Sequence, residues 1–226
     1  MCRATRWLTV STLVLTFFVT ASAHAGPRLA LETKGGTALA TYTSDAASPT
    51  QKAGFAGALA LHRALSPRLT IAYELAYVMK GASYGDVTDP TLNGITYTGT
   101  FEKRQTADYL ELPVLLRATL SDGAVRPVLV VGPSLGIKVV EQARLRSPGA
   151  YDKQAAGSDL LPLDLGLAGG LGLELGPRAH CMTLEARYTQ GLLDAQKASL
   201  SGTRRNSDLR FSLGWKTTWN TGMAAF

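Results

Sequence analysis

Three features of this sequence predict an all-β fold, an eight-stranded antiparallel up-and-down transmembrane β-barrel. Leucine recurs at every second position, eight alternating segments are each long enough to cross a bilayer, and the connectors between them alternate long and short. The first feature is plainest at 163–175, LDLGLAGGLGLEL. Leucine holds every odd position except Gly169, and Asp164, Gly166, Ala168, Gly170, Gly172 and Glu174 hold the even ones. A period of two belongs to a strand with one apolar and one small or polar face. A helix would spread the leucines around its circumference and carry four glycines at about 1 kcal/mol each relative to alanine.

The eight segments run 28–40, 53–64, 68–82, 108–120, 125–140, 161–175, 181–193 and 208–219. Each exceeds the ~9–11 residues that a tilted strand needs to span a bilayer. In the third, Leu69, Ile71, Tyr73, Leu75, Tyr77 and Met79 form an apolar face. Thr70, Ala72, Glu74, Ala76, Val78 and Lys80 lie opposite. In the eighth, Leu209, Phe211, Leu213, Trp215 and Trp219 alternate with Asp208, Arg210, Ser212, Gly214 and Lys216. The long connectors are 41–52, 83–107, 141–159 and 194–207, and the short ones 65–67, 121–124 and 176–179. Outer-membrane barrels have short periplasmic turns and longer external loops, so both termini are placed on the periplasmic side.

Periodicity alone also allows a soluble lipocalin-like carrier, which turns its apolar face inward to a ligand. Unbroken leucine rows, small residues opposite them, and aromatics near strand ends such as Tyr188 and Trp219 favour lipid outside. Glycines then face a narrow lumen, and serine at Gly170 is expected to be tolerated where arginine at Leu167 or Leu171 is not. Pro113 and Pro133 interrupt strands of a closed sheet, and a β-bulge is expected at each.

Residues 1–25 carry Arg3 and Arg6, an uncharged apolar run over 7–19, and Ala23-His24-Ala25. This is the pattern of a secretory signal peptide cleaved after Ala25; the barrel domain is then 26–226. The formal charge of +6 falls to +4 on loss of Arg3 and Arg6, with the remaining cations scattered singly. Export and weak basicity argue against a nucleic-acid partner. Cys2 leaves with the signal, so Cys181 has no partner for an internal disulfide.

Several segments resemble the PorT-like outer-membrane β-barrel proteins: LETKGGTALA (31–40), YELAYVMKGA (73–82), YLELPVLLR (109–117), RPVLVVGPSLG (126–136) and LEARYTQGL (184–192). The resemblance runs in order through nearly the whole mature chain. It implies an eight-stranded barrel in the outer membrane of a Gram-negative bacterium and little chemistry, since most members have no assigned activity. Members commonly end in an aromatic residue, as this chain does at Phe226.

The inward set includes Glu74, Glu111, Arg117, Lys138, Glu174, Glu185, Arg187 and Arg210. Opposite charges in a low-dielectric lumen must pair, and eight strands leave an interior just wide enough for side chains to fill. The expected result is a structural ionic network that plugs the lumen; the sharper alternative is a narrow ion channel gated by it. A lipid-modifying outer-membrane enzyme needs a nucleophile, a base and an orienting group together. His62 and His180 both sit beside short turns and read as rim residues, and Ser66 reads as turn chemistry. Cys181 and His180 point to opposite strand faces and cannot share a metal ion, and SDAAS and YGDVTDPTLNG lack the spacing of a calcium loop. No enzyme activity and no cofactor are expected. The expected partners are outer-membrane lipids and lipopolysaccharide, with a protein or glycan partner at external loops that carry Tyr84, Tyr97, Phe101, Tyr151, Lys103, Arg104, Arg144, Arg146, Arg204 and Arg205. A monomer is expected.

Overall fold

A computed structural model describes residues 28–44, 50–92, 95–96, 98–146, 153–156, 161–194 and 204–220. Eight strands make the barrel: β1 (Arg28–Ser44), β2 (Thr50–Ala64), β3 (Leu69–Thr88), β4 (Thr100–Thr119), β5 (Val125–Arg146), β6 (Leu163–Leu175), β7 (His180–Gly191) and β8 (Arg204–Asn220). Each pairs antiparallel with its neighbours in sequence, and β1 with β8 closes the ring from Arg28↔Asn220 to Ser44↔Arg204. Closure leaves no strand edge unpaired in lipid, which the absence of water there requires. A two-residue hairpin (Thr91–Leu92 with Ile95–Thr96) and a short strand (Lys153–Ala156) against the end of β5 decorate the long-connector rim.

The outer wall is apolar. Leu163, Leu165, Leu167, Leu171 and Leu173 are all exposed, and the intervening Asp164, Ala168 and Glu174 are buried. The same division holds on β8, where Phe211, Leu213, Trp215 and Trp219 point out and Asp208 and Arg210 point in. Along β4 and into the turn that follows it, the apolar row runs from Leu110 to Leu120. At roughly 3.3 Å per residue and a tilt near 40° this covers about 25 Å, the height of an outer-membrane belt. A lipocalin-like carrier is ruled out by this polarity, because its apolar face would line the interior.

The short turns follow the sequence closely. Ser66 Oγ accepts hydrogen bonds from the backbone N–H groups of Arg68 (3.4 Å) and Leu69 (3.1 Å), and Gly123 and Gly176 take positive φ in the other two. The long-connector end departs from expectation. Strands β1, β3, β4, β5 and β8 run on past the apolar belt, because backbone pairing continues through polar residues as long as the partner strand does. Lys103, Arg104, Arg144, Arg146, Arg204, Arg205, Tyr84 and Phe101 therefore lie on strands and not in loops. Tyr84 packs against the buried cluster Tyr42, Ala82, Ala107 and Tyr109, and Phe101 against Ala143 and Leu145. Tyr97 and Tyr151, the loop SDAAS beyond Ser44, the signal segment and residues 221–226 lie outside the described residues.

Neither proline carries a bulge. The β3–β4 register is the same on both sides of Pro113 (Tyr73↔Val114 and Ala76↔Glu111), with only the pairs between them missing. Pro133 likewise leaves the β4–β5 register intact between Pro113↔Ser134 and Leu116↔Val131. Each proline deletes one donor from a ladder that its neighbours hold in place. Register shifts occur instead at Gln51/Ala56, Ser83/Asp86 and Asp108/Tyr109. The last leaves Val139 and Val140 both exposed and reverses the alternation of β5, so that Glu141, Ala143 and Leu145 face inward beyond it.

Gly170 also differs from expectation. A Cβ there would stand 2.4 Å from the Ala186 carbonyl oxygen and 2.9 Å from Arg187 Cα, so serine has no room. Backbone of the neighbouring strand, and not lumen space, lies over this position.

Candidate functional site

The inner faces converge on a lumen in which charged side chains are buried and paired. The widest chain of contacts starts on β1, where Lys34 Nζ bonds Glu74 of β3 and lies 3.5 Å from Glu185 of β7. Arg187, two residues along β7, places Nη2 2.9 Å from Glu74 and Nε 3.5 Å from Glu185. Glu185 then receives Arg117 Nη1 of β4 at 2.5 Å. Four strands are thereby tied across the interior. Every side chain in this series is 5% exposed or less, so removing one would strand a charge in low dielectric.

A second group lies toward the long-connector end. Lys80 Nζ is 2.7 Å from Glu111, and 3.2 Å from both Asp164 and Asp208. Arg210 Nη2 is 2.6 Å from Glu111, and its Nε bonds Asp208. Asn206 Nδ2 donates to Asp164 Oδ2 at 2.8 Å, and the Lys80 ammonium sits 5.2 Å from the Tyr109 ring centroid. Three carboxylates around one ammonium are tolerable because Arg210 supplies the second cation. Farther out, Lys138 lies 2.5 Å from Glu141, to which Gln105 also donates.

The third group is at the short-turn end. Glu174 of β6 holds Lys216 of β8 and, at 3.5 Å, Arg126 of β5. Arg126 Nη1 also donates to the carbonyls of Gly123 and Gly176, both at 2.7 Å, pinning two turns together. Close by, His62 Nε2 is 2.7 Å from Glu32 Oε2, and Thr183 donates to the other Glu32 oxygen. His62 is 3% exposed. It is a buried lumen side chain, in contrast to the rim position expected for it, because its even register on β2 points inward alongside Ala60 and Ala56.

All eight side chains picked from sequence face the interior. Glu74, Glu185, Arg187 and Arg117 share the first group and Glu111 and Arg210 the second, whereas Glu174 and Lys138 are at opposite ends. Lys34, Lys80, Asp164, Asp208, Glu32, Arg126, Lys216 and Glu141 complete the pairs. Lys34, Lys80, Asp208 and Lys216 were identifiable from strand parity alone. Glu141 was not, since only the bulge at Val139 and Val140 turns it inward. With these included, the described residues place eight cationic side chains in the lumen, Lys34, Lys80, Arg117, Arg126, Lys138, Arg187, Arg210 and Lys216. Against them stand eight carboxylates, Glu32, Glu74, Glu111, Glu141, Asp164, Glu174, Glu185 and Asp208.

Ser66 is occupied as a turn cap and His62 is hydrogen-bonded to Glu32, while His180 is exposed and meets Thr217 Oγ1 at 3.4 Å. His180 and Cys181 do take opposite faces, one exposed and one buried. Among the described residues no three His, Cys, Asp or Glu side chains are grouped to hold a metal ion.

The chain is similar in structure to small outer-membrane barrels. One is Ail, the attachment invasion locus protein of Yersinia pestis, at 13% identity over 85% of this chain and 99% of that one, with a TM-score of 0.44. Another is Neisserial surface protein A at 15% identity over 84% and 99%, TM-score 0.40. A third is a major outer membrane protein from Thermus thermophilus at 14% identity over 87% and 100%, TM-score 0.48. No curated protein matches the sequence. The family model described as an outer membrane protein beta-barrel domain matches residues 21–196, and the chain, with its closed ring and lipid-facing leucines, belongs to that family.

Proposed function

We propose that this protein is a small outer-membrane barrel with a structural or surface-binding role, its lumen plugged by the ionic network and its binding surface at the external end. The observation that carries this reading is the series Lys34, Glu74, Arg187, Glu185, Arg117, which links β1, β3, β7 and β4 through the interior. Most of the opposite charges are in direct contact across an interior that eight strands leave just wide enough for side chains, which supports a lumen with no water path of porin width. Ser66 is taken up as a turn cap and His62 is paired with Glu32, which favours this reading over a lipid-modifying enzyme.

Binding is assigned to the external ends of the strands. Arg104 and Arg144 are both exposed, stand directly opposite one another on β4 and β5, and are followed by Arg146. Like charges in direct cross-strand pairs are unfavourable without a counter-charge. Lipopolysaccharide phosphates at this height supply one. Within the family, the segments quoted above support placement with the PorT-like barrels. The order of charged, apolar and small residues over 1–25 supports an exported chain cleaved after Ala25, and the apolar wall supports a monomer in the membrane.

Planar-bilayer recording tests the plug. The purified, refolded barrel should give no stable conductance of porin size; such a conductance would overturn the reading. Small, flickering currents that grow in Glu185→Ala or Arg187→Ala would favour a channel gated by the same network.

A further inference from the structure

The short-turn end of the barrel contains a cavity of about 490 Å³ that the lumen network does not fill. Its lining carries five cationic side chains, Arg28, Arg117, Arg126, Arg178 and Lys216, against one carboxylate, Glu174. Its inner end is closed by the Arg117–Glu185 pair at 2.5 Å, both side chains 3% exposed or less. Its outer end lies at the turn residues Ser66, Pro67 and Arg178, which are exposed. It is thus a blind pocket facing the periplasm, separate from the external surface considered above.

The cations in this pocket are not all spent on the fold. Arg126 is 2% exposed and uses Nη1 for two turn carbonyls and Nε for Glu174, yet its Nη2, fully buried, has no hydrogen-bond partner. Arg28 makes no ion pair among the described residues, and Arg178 is held only at the exposed rim by Asp122. A buried guanidinium N–H left unmatched is costly, and a guanidinium is shaped to bind planar or tetrahedral oxyanions. One carboxylate shared between Arg126 and Lys216 leaves the pocket with excess positive charge. The apolar lining residues Ala30, Leu65 and Pro67 would admit the organic portion of a ligand.

We infer that this pocket is a binding site for a small organic oxyanion, a carboxylate or phosphate, entering from the periplasm with its anionic group among Arg28, Arg126 and Lys216. The volume suits a molecule the size of a dipeptide or a sugar phosphate. Whether the oxyanion comes from a peptide carboxylate or a phosphate ester is a choice the test makes.

Isothermal titration of the folded barrel in a non-ionic detergent, with inorganic phosphate, glucose 6-phosphate and the dipeptide Ala-Ala as separate probes, tests the inference. At least one probe should bind with a stoichiometry of one. Arg126→Gln should weaken it by about tenfold or more, the loss expected for one charge-assisted hydrogen bond. Arg28→Gln, at the rim and outside the turn-pinning contacts, should weaken it less and serves if Arg126→Gln does not fold, as judged by heat-modifiable gel mobility. Lys52→Gln, at the other end, should leave binding unchanged. Absence of binding to all three probes at millimolar concentration overturns the proposal. So does a loss equal in Lys52→Gln and Arg126→Gln, which would mean attraction by net charge alone.

Discussion

Arg117 of β4 and Glu185 of β7 meet at 2.5 Å across the barrel, 68 residues apart in sequence and both buried. That contact separates two compartments, the paired lumen above and the blind cationic pocket below. Breaking one side of a buried ion pair leaves an uncompensated charge and costs about 3–5 kcal/mol. Glu185→Ala removes the only ion-pair partner of Arg117 among the described residues, while Lys34 keeps Glu74, and should be among the most damaging lumen substitutions. A urea titration of the barrel in lipid vesicles should show that loss, whereas exchanging Arg68, whose contact to Asp122 is exposed at 3.3 Å, should change little.

The outer wall makes a different prediction. Leu171 is 62% exposed on the lipid-facing side, and arginine there should cost about 2–4 kcal/mol at mid-bilayer depth. The natural inward control is Gly136, where an added Cβ meets only side-chain atoms at 3.4–3.5 Å. Gly136→Ala should assemble in liposomes as well as the parent chain, and Leu171→Arg should not. Gly170→Ser should also fail, through its clash with the Ala186 carbonyl, although its side chain is small and polar. Equal assembly of all three would mean that inside and outside have been assigned wrongly.

These two cases mark what strand parity reveals and where it stops. The odd leucines and even acids of 163–175 were enough to separate lipid from lumen, because alternate side chains on a strand must take opposite faces. From the same rule Glu185 and Arg187 share a face, and the structure joins them at 3.5 Å. Parity says nothing about how close the next strand's backbone lies, so it does not anticipate the crowding at Gly170. It also fails at bulges, since one extra residue at Val139 and Val140 reverses the inside and outside of everything after it. Hydropathy gave strand ends only where lipid ends. Tyr84 and Arg144 therefore read as loop although hydrogen-bonded pairing carries their strands past the membrane.

The prolines test the register. Since the pairs on each side of Pro133 keep one registration, Pro133→Ala restores a ladder donor without moving any side chain. Its effect should be neutral or stabilising by up to about 1.5 kcal/mol, the net worth of a hydrogen bond. A bulge at this site would give the reverse result, a clear loss in the same urea titration, because alanine would favour closing it.

The external arginines give the last prediction. Beyond Val140 the outer face of β5 changes from apolar to basic at Arg144 and Arg146, and on β4 the same change occurs between Leu110 and Arg104. Arg104 Nε is 2.8 Å from Glu102, an exposed contact that neutralises part of one charge, and Lys52 is near enough to feel both arginines. Arg104 and Arg144 themselves face each other across the ladder, at about 13 Å of strand beyond the last exposed valine. After allowance for strand tilt this is headgroup height, where each cation near an anionic surface contributes about 1 kcal/mol. The double variant Arg104→Gln/Arg144→Gln should thus lower affinity for lipopolysaccharide by roughly thirtyfold at low salt. The difference should shrink as salt rises, since screening acts on exposed charges first. Retention of full affinity, measured by binding of the refolded barrel to immobilised lipopolysaccharide, would remove these residues from the binding surface. It would direct attention to the parts of the external connectors beyond them.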